Sequence, residues 1–219
     1  MTTLPKQALA LIWLLALGAL ATVGYAMFTM PLLHNYQWFV LLVLALATAR
    51  LKVKLPGLTG NMAVNLPFLL IAIAQLNMLE ALLIAIPACA VQCFPKGGGK
   101  PKAVQMLFNI STTTVAVAAA SMLASHFAML TGAAGFFMAQ TVPVAAIIRL
   151  TEGGAIQSVW SRIARCSFPF YVLSAGLTSI ATSATPQLGW QLTLVGLPVM
   201  YAIYRSYESY FSENRVAVN

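Results

Sequence analysis

The sequence predicts an all-α protein: a polytopic membrane helix bundle of six to eight transmembrane helices, with both termini on the cytoplasmic side. Three observations lead there. Of the 219 residues 60% are hydrophobic and only 7% charged, with a mean hydropathy of +0.86, whereas a soluble domain carries about 25% charged residues. The apolar residues gather into eight segments, at 8–28, 36–49, 63–76, 79–94, 104–127, 136–148, 166–182 and 188–204. All twelve Lys and Arg residues lie outside these segments, and only in alternate gaps. Basic residues stay on the cytoplasmic side during insertion. The alternation therefore demands an even number of crossings.

The segments follow in order. Lys6 precedes the first, which is long for a signal peptide and has no cleavage-like site after it, so it is read as a retained transmembrane helix. Arg50, Lys52 and Lys54 follow the second. The loop 51–62 alternates Leu51, Val53 and Leu55 with lysines, then turns at Pro56-Gly57 and Gly60-Asn61. This pattern predicts an extended piece at the membrane surface or dipping between helices. The third and fourth segments are joined by Asn77 and Met78 alone, which predicts a tight hairpin. Eight crossings satisfy the charge pattern, as do six with one shallow or re-entrant hairpin. The run 96–102, KGGGKPK, is a linker between two halves of one integral membrane domain spanning 1–219. The gap at 128–135 has no basic residue, while Arg149, Arg162 and Arg165 mark the gap after the sixth segment. Tyr201, Tyr204, Tyr207 and Tyr210 recur every three residues in the tail. They read as an interfacial aromatic belt, compatible with a helix that continues towards a partner.

The same residues exclude several functions. The net charge of +8 belongs to loop anchors beside anionic lipid, so the positive balance points to membrane lipids and not to nucleic acid. There is no Asp, and Glu80, Glu152, Glu208 and Glu213 lie at segment ends or in loops. A proton-driven carrier places an ionisable group within a span; none is present, and no paired carboxylates, P-loop, nucleophile elbow or dinucleotide motif is found. No enzyme activity and no cofactor are expected. Cys89 and Cys93 share a helix face, but no His or acid accompanies them at metal-ligand spacing. They are read as small apolar packing residues, with Cys166 as a third unpaired thiol.

Amides and hydroxyls remain as candidates for binding a small neutral molecule: Asn65, Gln92, Gln105, Asn109 and Thr113. Gln105, Asn109 and Thr113 recur at spacing four, hence on one helix face. Interhelical hydrogen bonding explains such residues equally well. His34 lies in the first outer gap and His126 ends the fifth segment near the outer face, where either could respond to pH. Ala116, Ala120, Ala124 and Ala128 form a small-residue stripe that predicts close helix packing.

Three stretches carry a family resemblance: LPGLTGNMAVNLPFLLIAIAQLNMLEALLIAIPACAVQC at 55–93, VQMLFN at 104–109 and GWQLTLVGLPVMYAIYRSYESY at 189–210. Together they resemble the hydrophobic membrane-sensor regions that precede GGDEF or HD-GYP output domains in bacterial signalling proteins. That resemblance covers most of residues 36–210 and implies a sensor-like inner-membrane protein acting through a separate cytoplasmic signalling enzyme. No output domain is expected within these residues, so it implies no cyclase or phosphodiesterase activity. The middle stretch is also similar to the substrate-binding membrane subunits of energy-coupling-factor transporters. This second likeness implies binding of a vitamin-like metabolite and partnership with an ATPase module.

Overall fold

The computed structural model describes residues 4–32, 36–54, 61–95 and 101–183, with positions 194, 196–199, 201, 202, 205, 206 and 209; at 53, 54 and 61–63 it describes the backbone alone. Among these residues are seven continuous helices: α1 (Lys6–Thr29), α2 (Tyr36–Ala49), α3 (Leu66–Gln75), α4 (Met78–Cys93), α5 (Ala103–His126), α6 (Met129–Glu152) and α7 (Ile156–Ser183). A short antiparallel ribbon pairs β1 (Lys52–Lys54) with β2 (Asn61–Ala63), Val53 opposite Met62. The described parts of this loop are therefore extended, while the turns expected at Pro56-Gly57 and Gly60 lie outside the described residues. Four helices, α1, α5, α6 and α7, are long and apolar enough to cross a membrane. His34, the glycines of the 96–102 linker, Tyr204, Tyr207, Glu208 and Tyr210 lie outside the described residues.

Local chemistry sets the boundaries. α1 ends where Met30 turns extended (φ −120°, ψ 134°). Pro31 follows, and a residue before proline is driven out of the helical region. α4 stops the same way, at Phe94 before Pro95. It starts with a capping box: the Asn77 side chain accepts from the Glu80 N–H at 3.0 Å, and Glu80 Oε2 accepts from the Asn77 N–H at 3.4 Å. Pro67 falls in the first turn of α3, where its missing N–H costs nothing. Between α6 and α7 the chain turns at Gly153 (φ +86°) and Gly154 (φ +91°), a left-handed conformation that favours glycine.

Two sequence-based boundaries are corrected. The gap at 128–135 is not a loop, because α6 begins at Met129 and only Phe127 and Ala128 turn the chain. Likewise α7 begins at Ile156, so Arg162 and Arg165 lie on a helix. Hydropathy missed both extensions because glycines, serines and arginines lowered the local average there.

The distribution of apolar surface is that of a protein in lipid. α3 is buried on every side from Leu66 to Ile73 and forms the centre of the bundle. A helix apolar all round belongs in such a core. α1 instead turns Trp13, Leu14, Leu17, Leu20 and Phe28 outward, Phe28 being 94% exposed. So large an apolar face fits hydrocarbon and not water. Several buried hydroxyls return to their own backbone one turn earlier: Thr48 to Leu44 O, Thr114 to Ile110 O, Ser174 to Phe170 O and Thr178 to Ser174 O, all within 2.7–2.9 Å. No water is needed to satisfy them.

The closest approach is between α5 and α6. A Cβ on Gly132 would lie 2.8 Å from Ala124 Cβ and 2.9 Å from the Ala120 carbonyl oxygen, and one on Gly135 would overlap the Leu123 side chain. The alanine stripe of α5 thus receives the glycines of α6.

Candidate ligand-binding site

The turns sort into two ends. At one end Asn77 Nδ2 donates to Pro31 O at 2.9 Å, tying the α3–α4 turn to the α1–α2 turn. Trp38 Nε1 donates to Glu80 O at 3.2 Å beside it. At the other end Lys52 Nζ donates to Phe94 O, tying the ribbon to the C-terminus of α4. Lys6, Arg50, Lys102 and Arg149 belong to helix ends or turns on this second side, and Arg162 and Arg165 to the N-terminal third of α7, which starts there. The first end has no Lys or Arg among the described residues.

A cavity of about 920 Å³ opens at the base-free end. Small residues create it: Ala21 of α1, Ala74 of α3, and Ala118, Ser121 and Ala124 of α5 leave space where larger side chains would close the bundle. Ala118, Ser121, Met122 and Ser125 follow one another at helical spacing, so a single stripe of α5 lines one wall. Met30, Met78, Met122 and Met129 also line it, and methionine adapts readily to irregular ligand shapes.

The polar groups are few and unequal in depth. Ser125, His126, Asn77 and Tyr25 lie on the terminal turns. Ser121 is one turn further in, about 6 Å deeper. Its Oγ is buried and has no hydrogen-bond partner among the described residues. Ser125 Oγ donates to Met122 O at 2.9 Å, and His126 Nδ1 lies 2.8 Å from that carbonyl and 3.0 Å from Ser125 Oγ. The carbonyl only accepts and the serine proton is already committed, so Nδ1 carries the hydrogen. In the neutral ring Nε2 is then an acceptor. No Lys, Arg, Asp or Glu lines the space. A neutral, mostly apolar molecule with a hydrogen-bonding end fits this chemistry.

None of the five residues singled out from sequence lines this cavity. Asn109 and Thr113 share one face of α5, as their spacing requires, and turn to α4: Asn109 Nδ2 donates to Cys93 Sγ at 3.6 Å and Thr113 Oγ1 to Cys89 Sγ at 3.5 Å. Gln105 is exposed on the first turn of α5. Gln92 is half-buried on the last turn of α4, and Asn65 is buried ahead of α3 without capping it through its side chain. Sequence reasoning missed the cavity because alanines, methionines and single hydroxyls from separate segments carry no local signal. Only His126, placed at the outer end of the fifth segment, pointed to it. No family model, curated protein or solved structure matches this chain.

Proposed function

We propose that this is a multi-pass bacterial inner-membrane protein of sensor or ligand-binding type, without catalysis of its own. It holds a small neutral molecule or lipid in the cavity facing away from the cytoplasm. One observation carries the reading: a cavity of about 920 Å³, at the end without Lys or Arg among the described residues, lined by no Lys, Arg, Asp or Glu. The resemblance to the membrane regions of cyclic-di-nucleotide signalling proteins supports output through a cytoplasmic signalling enzyme. The resemblance to energy-coupling-factor subunits supports a second reading, delivery of a metabolite with an ATPase module.

The alternation of basic residues supports six to eight passes with both termini in the cytoplasm. α3 has 10 residues and α4 has 16, about 15 and 24 Å long. Both fall short of a hydrocarbon core of about 30 Å, so the pair forms a shallow hairpin in a six-pass bundle or two thinned crossings in an eight-pass one.

Native mass spectrometry of the detergent-purified chain tests the binding reading. Wild type should retain a small molecule, and Ser121→Phe, which puts a ring into the deeper end of the cavity, should weaken its retention while remaining folded. A mass equal to the bare chain after gentle extraction, with no lipid or metabolite restored on incubation with a membrane extract, refutes it.

A further inference from the structure

Cys89 and Cys93 take no part in the cavity. They sit one turn apart on α4, Cys89 buried and Cys93 half-buried, and both are free thiols. Each sulfur also receives a donor from α5, Asn109 to Cys93 and Thr113 to Cys89. Most buried threonines here spend their proton on a carbonyl of their own helix, as Thr48, Thr114, Thr141 and Thr178 do. Thr113 spends its proton on sulfur. A neutral thiol is a weak acceptor; a thiolate is a strong one, and charge-assisted bonds are roughly twice as strong. The Lys52 ammonium lies beside this end of α4, at Phe94 O.

We propose that Cys89 and Cys93 form a two-coordinate site for Cu(I). Two observations choose the ion. Among the described residues no group of three or more His, Cys, Asp or Glu comes together, so the four protein ligands of a structural Zn(II) site are not assembled. Soft thiolates select Cu(I), which two sulfurs on opposite sides satisfy. The spacing agrees: two metal–thiolate bonds of about 2.3 Å laid end to end span about 4.6 Å, and Cβ atoms one helical turn apart lie about 5–6 Å from each other. A disulfide needs its Cβ atoms at about 3.8 Å, which the helix does not offer. On binding, both thiols release their protons to solvent, two Cu–S bonds form and copper stays monovalent. The bis-thiolate complex carries one negative charge, which the Lys52 ammonium balances. Asn109 and Thr113 hold the sulfurs in place, as the outer partners of metal ligands do.

The experiment uses the full chain in detergent micelles, without oxygen, titrated with Cu(I) held by a chromophoric chelator. One Cu(I) per chain should be retained, with two protons released, and an X-ray absorption spectrum should report sulfur neighbours in a two-coordinate geometry. Cys89→Ser and Cys93→Ser should each abolish retention, and Cys166→Ser should leave it unchanged. Thr113→Val and Asn109→Leu should weaken affinity by roughly tenfold to a hundredfold while keeping the stoichiometry. Retention by the Cys89→Ser/Cys93→Ser double variant overturns the proposal. So does a nitrogen or oxygen coordination shell in the wild type, or a wild type that takes no Cu(I).

Discussion

Replacing Gly132 by alanine adds one methyl group, and the structure fixes what that methyl meets. It would lie 2.8 Å from Ala124 Cβ and 2.9 Å from the Ala120 carbonyl oxygen. Neither can swing away, because one is anchored to the α5 backbone and the other is the backbone. The helices must part by several tenths of an ångström. A gap of about 0.5–1 Å already forfeits a quarter to a half of a dispersion well, and in lipid such packing contributes much of the helix–helix attraction. Overpacking of this kind costs about 1–3 kcal/mol, against a gain of about 0.5–1 kcal/mol from removing glycine from a helix interior. The net expectation is a loss of up to about 2.5 kcal/mol. Gly24 of α1 and Gly176 of α7 supply the control, since a Cβ at either meets nothing within 4 Å. Gly24→Ala and Gly176→Ala should be neutral or slightly stabilising. Reversible unfolding in mixed micelles, followed by circular dichroism, measures all three. Equal stability of Gly132→Ala and Gly24→Ala would refute the close α5–α6 packing.

Three further outcomes are expected. Thr141→Val should destabilise the α6–α7 contact by about 1–3 kcal/mol, since Thr141 Oγ1 accepts from Trp160 Nε1 at 3.1 Å; adding Trp160→Phe should recover part of the loss in a double-mutant cycle on the same unfolding signal. Asn77→Ala removes both the α4 cap and the tie to Pro31 O and should lower stability by about 1–2 kcal/mol, with hydrogen exchange rising first at 78–81. A reporter active only outside the cytoplasm should be silent when fused after Gly153 and strong after Ala128; the reverse pair would invert the topology.

Some of this architecture was legible in the residues alone. Insertion into lipid is a matter of length, hydropathy and where the positive charges fall, and each is a property of one segment or one gap. The ends of α1 and α4 were likewise local, written by Pro31 and Pro95. So was the shared face of Asn109 and Thr113, which follows from helical period. Other features needed the assembled bundle. Met129–Gly135 reads as a gap by hydropathy, yet it is helix, because its glycines earn their place only against the alanines of α5. The cavity joins Thr22, Asn77, Ser121, His126 and Thr182, residues far apart in sequence, and consists of what small side chains leave unfilled. The donor that α5 brings to each thiol of α4 is likewise a contact between segments. A sequence records which groups a segment carries, but voids and paired donors are relations between segments, and those exist only once the helices have packed.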